Sequence, residues 1–76
     1  MNAGIDITIV VPVFRSVNTL QKLFEEVQKC MKEQQLLFEV LFVEDGGSIE
    51  SWEELKRIKK LFPDNVSLIR FSRNYG

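Results

Sequence analysis

The chain has 76 residues, 45% of them apolar or aromatic and 28% charged, which excludes a disordered chain and leaves room for one domain. Ten basic against eleven acidic residues give a net charge of -1, which argues against nucleic-acid binding driven by phosphate neutralisation. There is no histidine and one cysteine, Cys30, so Ser-His-Asp and Cys-His pairs, histidine metal ligands and an internal disulfide are all excluded.

Ile5 to Val13 is β-branched and apolar on both faces in its second half, the pattern of a buried strand. The period then changes. Val17, Leu20, Leu23, Phe24, Val27 and Met31 fall on one stripe of a helix over 17–35. Ser16 or Asn18 can cap it, and Asn18 with Gln21 resembles a capping box. Glu25 and Lys29 are spaced for a pair on its wet face. Phe38 to Val43 is a second strand, broken abruptly at Glu44-Asp45-Gly46-Gly47-Ser48. Ser51 to Glu54 reads as a capping box opening a second helix, with Trp52, Leu55, Ile58 and Leu61 as its apolar stripe and Pro63 as its stop. Val66 to Phe71 is a third strand.

The order β-α-β-α-β with short connections implies an α/β fold. Its sheet is parallel, its crossovers right-handed and its strand order 3-2-1, half of a doubly wound, three-layer type. Both helices then lie on one sheet face. Ile5, Ile7, Ile9 and Val11 would point to one face and Thr8 and Val10 to the other, just as Leu41 and Val43 oppose Val40 and Phe42; whichever face the helices leave uncovered keeps several aliphatic side chains wet, at about 1.5–3 kcal/mol each. More chain packed there, or self-association, would remove that cost. No apolar run approaches the length of a membrane span, and the first residues lack a signal-peptide pattern. The single cysteine suits a reducing compartment, and the expected location is cytoplasmic.

Ligands of open parallel sheets bind beyond the carboxyl ends of the strands, where 12–18, 44–51 and 72–76 would meet. Pro12-Val13-Phe14-Arg15-Ser16 has no glycine, which excludes a dinucleotide fingerprint and a P-loop. It offers a rigid proline, an aromatic face and a hydroxyl, which suit a ring and a sugar hydroxyl; as a plain connector, Phe14 would be core and Ser16 a cap. Glu44 and Asp45 end an apolar strand, and adjacent strand residues point to opposite sides, so the two acids have different roles. Asp45 precedes Gly46, where backbone can approach a ligand closely, and its carboxylate suits an N–H donor such as the imide of uracil or the N1/N2 edge of guanine. A solvated Asp-Gly turn is the alternative. Arg73 could meet a phosphate or stand as a surface arginine. Cys30, Trp52 and the basic run Lys56 to Lys60 read as structural or solvated positions.

Taken together, Ile9-Val10-Val11-Pro12-Val13-Phe14, Leu41-Phe42-Val43-Glu44-Asp45-Gly46-Gly47-Ser48 and Ser72-Arg73-Asn74-Tyr75-Gly76 resemble the start of family 2 glycosyltransferases of GT-A, Rossmann-like fold. The ending is similar to the branch that acts on polyprenyl or dolichyl phosphate. The resemblance implies one partial domain over residues 1–76, which binds the nucleotide of a UDP- or GDP-linked sugar through Pro12, Phe14, Ser16, Val43, Asp45, Gly46 and Arg73. Phe14 stands where the family usually has tyrosine, Ser16 where the branch usually has glutamate, and Glu44 where an aspartate is commoner. Gly47 and Ile49 replace a usual serine and aspartate. The divalent cation of the complete domain, Mg or Mn, and the acceptor-activating acid belong to motifs placed beyond Gly76. No catalytic or metal residue is therefore assigned, and the chain alone is expected to be inactive. The branch's membrane segments would also lie further along, so a parent at the cytoplasmic membrane face fits. The alternative is a non-enzymatic α/β module that forms a homo-oligomer through its bare sheet face and edge.

Overall fold

Each β-branched run forms a strand and each apolar stripe a helix in the computed structural model, which describes residues 4–14, 19–46 and 48–71. The elements are β1 (Ile7–Val13), α1 (Leu20–Glu33), β2 (Phe38–Glu44), α2 (Ile49–Leu61) and β3 (Val66–Arg70). All strands are parallel in the order β1-β2-β3, the expected 3-2-1 read from the opposite edge.

Strict alternation along β2 places the core. Phe38, Val40, Phe42 and Glu44 are buried, while Glu39, Leu41 and Val43 are half-buried on the opposite face. Val13 and Val66 join the buried side from the flanking strands, with Leu20 and Phe24 from α1 and Leu55 and Ile58 from α2. Both helices therefore cover one face. The Phe24 ring lies 5.8 Å from that of Phe38 and 4.5 Å from that of Phe62, in tilted contacts. On the opposite face Val10 is 59% and Ile69 41% exposed, and Ser67 of β3 donates to Glu39 of the central strand β2 at 2.6 Å.

Side chains fix the register at the amino ends of the strands. Asp6 accepts from the Leu37 N–H at 2.9 Å, and its own N–H donates to the Leu37 carbonyl at 2.7 Å. These bonds hold Asp6 just ahead of the ladder, so β1 begins at Ile7 rather than at Ile5. Asn65 donates its side-chain amide to the Phe38 carbonyl at 2.9 Å and accepts the Val40 N–H on its backbone at 2.8 Å. Lys59 closes the α2–β3 connection by donating to the carbonyls of Pro63 and Val66.

The helix starts differ from expectation. The N-cap of α1 is Thr19, with no side-chain cap bond. Ser16, Val17 and Asn18 lie outside the described residues. The expected pairing of Asn18 with Gln21 thus lies outside the described residues; Gln21 donates to Glu25 at 3.1 Å and accepts from Arg57 of α2 at 2.6 Å. Glu25 thus pairs with Gln21 rather than Lys29. Leu23 is 38% exposed, because Leu20 and Phe24 fill the space over the sheet. The capping box expected at Ser51 is also overturned. Ser48 is the N-cap of α2, and its extended backbone (φ -144°) lets its hydroxyl accept the Ser51 N–H at 3.1 Å. Ser51 sits inside the first turn and is buried, and Glu50 is the acid in that turn, where the helix dipole favours it. No helix among the described residues is long and apolar enough to cross a membrane.

Two predictions follow from this packing. Phe42→Ala removes a fully buried ring from the centre of the core and is expected to cost about 3–5 kcal/mol in denaturant unfolding, against about 0.5 kcal/mol or less for Val10→Ala on the bare face. Equal costs would contradict the one-sided core. The second concerns Glu54, whose carboxyl is held below its ordinary value of 4.5, chiefly by the hydrogen bond from Arg57 and against the opposing effect of partial burial. A depressed value means that the pair's stabilisation is full above about pH 4.5 and is lost as pH falls through the lower folded value. Side-chain NMR titration should show the Glu54 midpoint rising toward 4.5 in Arg57→Ala; an unmoved midpoint would assign the shift elsewhere.

Candidate functional site

The carboxyl end of the sheet is built on two neighbouring acids, Glu44 as the last residue of β2 and Asp45 as the residue after it. Glu44, the last residue of β2, keeps the parity of Phe42 and points under the helices, where it is fully buried. Its Oε1 accepts the Gly46 N–H at 2.7 Å and the Arg70 Nε–H at 3.1 Å, and its Oε2 accepts the Ser48 N–H at 3.3 Å. The charge is thus neutralised by one cation and satisfied by two backbone donors, the condition under which a carboxylate can be buried at the end of a central strand.

Arg70 is the residue that the sequence reading missed. It faces Glu44 across the β2–β3 register and shares the inward parity of Val66 and Leu68. Its guanidinium lies 5.5 Å from the centroid of the Trp52 ring of α2, a cation–π contact. The signal lay in the two-residue alternation of β3, which puts every second residue from Val66 inward and so includes Arg70. Trp52 is accordingly half-buried and forms a wall for Arg70.

Pro12 and Val43 are direct cross-strand partners in the β1–β2 register. Both belong to the face opposite the helices; Pro12 is exposed and Val43 half-buried. The final register pair is Val13 with Glu44, so Phe14 and Asp45 are the next residues on two adjacent parallel strands and leave the sheet side by side. Phe14 is 69% exposed and Asp45 half-buried. Gly46 follows with φ +86°, a backbone conformation that glycine adopts without the steric penalty of a Cβ. Ser16 and Arg73 lie outside the described residues. Ser51 is fully buried, and its hydroxyl has no hydrogen-bond partner among the described residues.

This arrangement offers an exposed aromatic face, an apolar floor from Pro12 and Val43, and an acceptor-only carboxylate beside a glycine. It suits recognition of a flat ring bearing an N–H donor. Among the described residues there is no cluster of three or more His, Cys, Asp or Glu side chains placed to hold a metal ion. These residues do not fit a cation, and no step through one is assigned to them. Cys30 is exposed on α1.

Comparison with known proteins gives a consistent result. Residues 8–76 match the family described as Glycosyl transferase family 2. The chain is 33% identical over its whole length to the uncharacterized glycosyltransferase YkcC of Bacillus subtilis (strain 168), of which it covers 23%. It is 30% identical over 92% of its length to the undecaprenyl-phosphate 4-deoxy-4-formamido-L-arabinose transferase of Proteus mirabilis (strain HI4320), of which it covers 22%. The chain therefore spans less than a quarter of the length of these relatives. Among solved structures, a mannosyltransferase from Pyrobaculum calidifontis in complex with GDP-Man and Mn2+ superposes with a TM-score of 0.61. That match covers 92% of this chain and 20% of the other at 22% identity, and shows the shared fold.

Proposed function

This chain belongs to glycosyltransferase family 2, and on that premise we propose that it is a single partial domain over residues 1–76, the N-terminal nucleotide-binding part of a sugar transferase. The observation that supports the reading is the β1–β2 register, which ends at Val13–Glu44 and so makes Phe14 and Asp45 the next residues at the carboxyl edge of the sheet. In this reading the Phe14 ring stacks on the base. Asp45 accepts hydrogen bonds from the base N–H groups, from the imide of uracil or the N1/N2 edge of guanine. Pro12 and Val43 form the apolar floor, and Gly46 lets the backbone approach the nucleoside. Ser16 is proposed to face the ribose and Arg73 the diphosphate.

The donor class is a nucleotide-diphosphate sugar, UDP- or GDP-linked, and the acceptor is proposed to be a polyprenyl phosphate, as the name of the Proteus mirabilis relative suggests. The divalent cation of the complete domain, which would offset charge developing on the leaving nucleotide, is proposed to be held by residues other than those described. A carboxylate to accept the acceptor's proton is likewise not assigned among them, so the 76 residues alone are proposed to bind donor without turnover. The proposed location is cytoplasmic, with the parent protein at the cytoplasmic membrane face.

NMR titration of the folded chain with UDP and with GDP is expected to shift the signals of Phe14, Val43 and Asp45 ahead of those on the helices. Unchanged spectra at millimolar nucleotide would overturn the reading. The exposure of Val10 and Ile69 on an uncovered sheet face favours a second reading, a non-enzymatic module that self-associates through that face. Sedimentation should then report a dimer that Val10→Lys dissociates, and a monomeric wild-type chain would end it.

A further inference from the structure

Glu44 lies between the core and the candidate nucleotide site, and it is the only buried charged side chain among the described residues. We infer that Glu44 is a positioning residue for nucleotide recognition: its carboxylate, clamped by Arg70, holds the backbone at Gly46 and Ser48 so that Asp45 is presented. The inference rests on the nucleotide-binding reading above and extends it to a residue that faces away from any ligand.

Asp45 is the first residue after β2, and the backbone N–H of the very next residue, Gly46, is tied to Glu44 Oε1 at 2.7 Å. The far end of the loop is tied to Oε2 through the Ser48 N–H. The backbone on both sides of Asp45 is thus referred to one rigid point, since Glu44 itself is fixed in the sheet by its register with Val13 and Arg70. Arg70 prevents the carboxylate from turning. Its Nε–H holds Oε1, and its guanidinium is backed by the Trp52 ring. Gly46 at φ +86° completes the bend that this bonding pattern requires.

Replacing Glu44 by glutamine separates shape from charge. Glutamine can keep an oxygen against Gly46 and Arg70, but its amide nitrogen then meets the Ser48 N–H, donor against donor, and Arg70 loses its counter-ion. The experiment compares wild type, Glu44→Gln and Ile58→Val, a core change remote from the loop, by amide hydrogen exchange and by titration with UDP and GDP. Glu44→Gln is expected to fold, to exchange faster at Gly46 and Ser48, and to bind the preferred nucleotide about tenfold more weakly, the scale of one lost bond to a charged group. Ile58→Val is expected to lose stability with its affinity unchanged. Unaltered affinity in Glu44→Gln, or an equal loss in Ile58→Val, would overturn the positioning role. Absence of binding by the wild type would instead overturn the nucleotide reading, and this inference with it. Should Glu44→Gln fail to fold, Glu44→Asp keeps the charge but stops a methylene short of Gly46; it is expected to bind more weakly than wild type, and unchanged affinity there would also overturn the role.

Discussion

A carboxylate with no solvent exposure organises one end of this molecule. Glu44 would be a heavy penalty at the end of an apolar central strand if left alone, since desolvation of an ion costs several kcal/mol even after relaxation. Its partners come from three places: the loop that follows it, the cap of α2, and the last residue of β3. The same charge therefore ties the end of the second strand to the end of the third and to the start of the second helix. The tryptophan of that helix backs the arginine in turn. Few interactions of comparable reach are available to a chain this short, in which nine buried apolar side chains form the core among the described residues.

The two neighbouring acids illustrate how far alternation can be read. That Glu44 and Asp45 face opposite ways follows from strand geometry and needs no coordinates. Which of them turns inward depends on whether Phe38, Val40 and Phe42 or Leu41 and Val43 face the helices, and the two sets are too alike in hydrophobicity for the sequence to decide; in the structure the first set is buried. Arg70 escaped because the reading of 66–71 followed its apolar residues, and a charged side chain inside that strand shows no partner in the sequence. Its partner is 26 positions away and becomes visible only with the register.

Helix starts were the least legible local feature. Ser48 and Ser51 are both plausible caps three residues apart, and the sequence signature around Ser51 is the stronger of the two. The extended backbone that follows the Gly46 bend decides the matter, since it aims the Ser48 hydroxyl at the Ser51 N–H and leaves Ser51 to be buried. The pairing of Pro12 with Val43 was equally out of reach. It depends on bonds such as that between Asp6 and Leu37, which join residues 31 apart in sequence. The prospect of an uncovered sheet face, by contrast, followed from counting helices against faces, and the exposure of Val10 and Ile69 agrees with that count.

The bonds between Asp6 and Leu37 carry a consequence for the opposite end of the sheet. From them the ladder runs through seven matched positions, Ile7–Phe38 to Val13–Glu44, a span of about 20 Å at strand rise. The clasp therefore works as the zero mark of a ruler whose far graduation sets Phe14 beside Asp45. A slip of a single notch at Asp6 would leave either residue intact yet carry the aromatic ring about 3.3 Å past its acidic neighbour and reverse which side of β1 faces the helices. An aspartate remote from any ligand thus governs the spacing of the groups nearest to it.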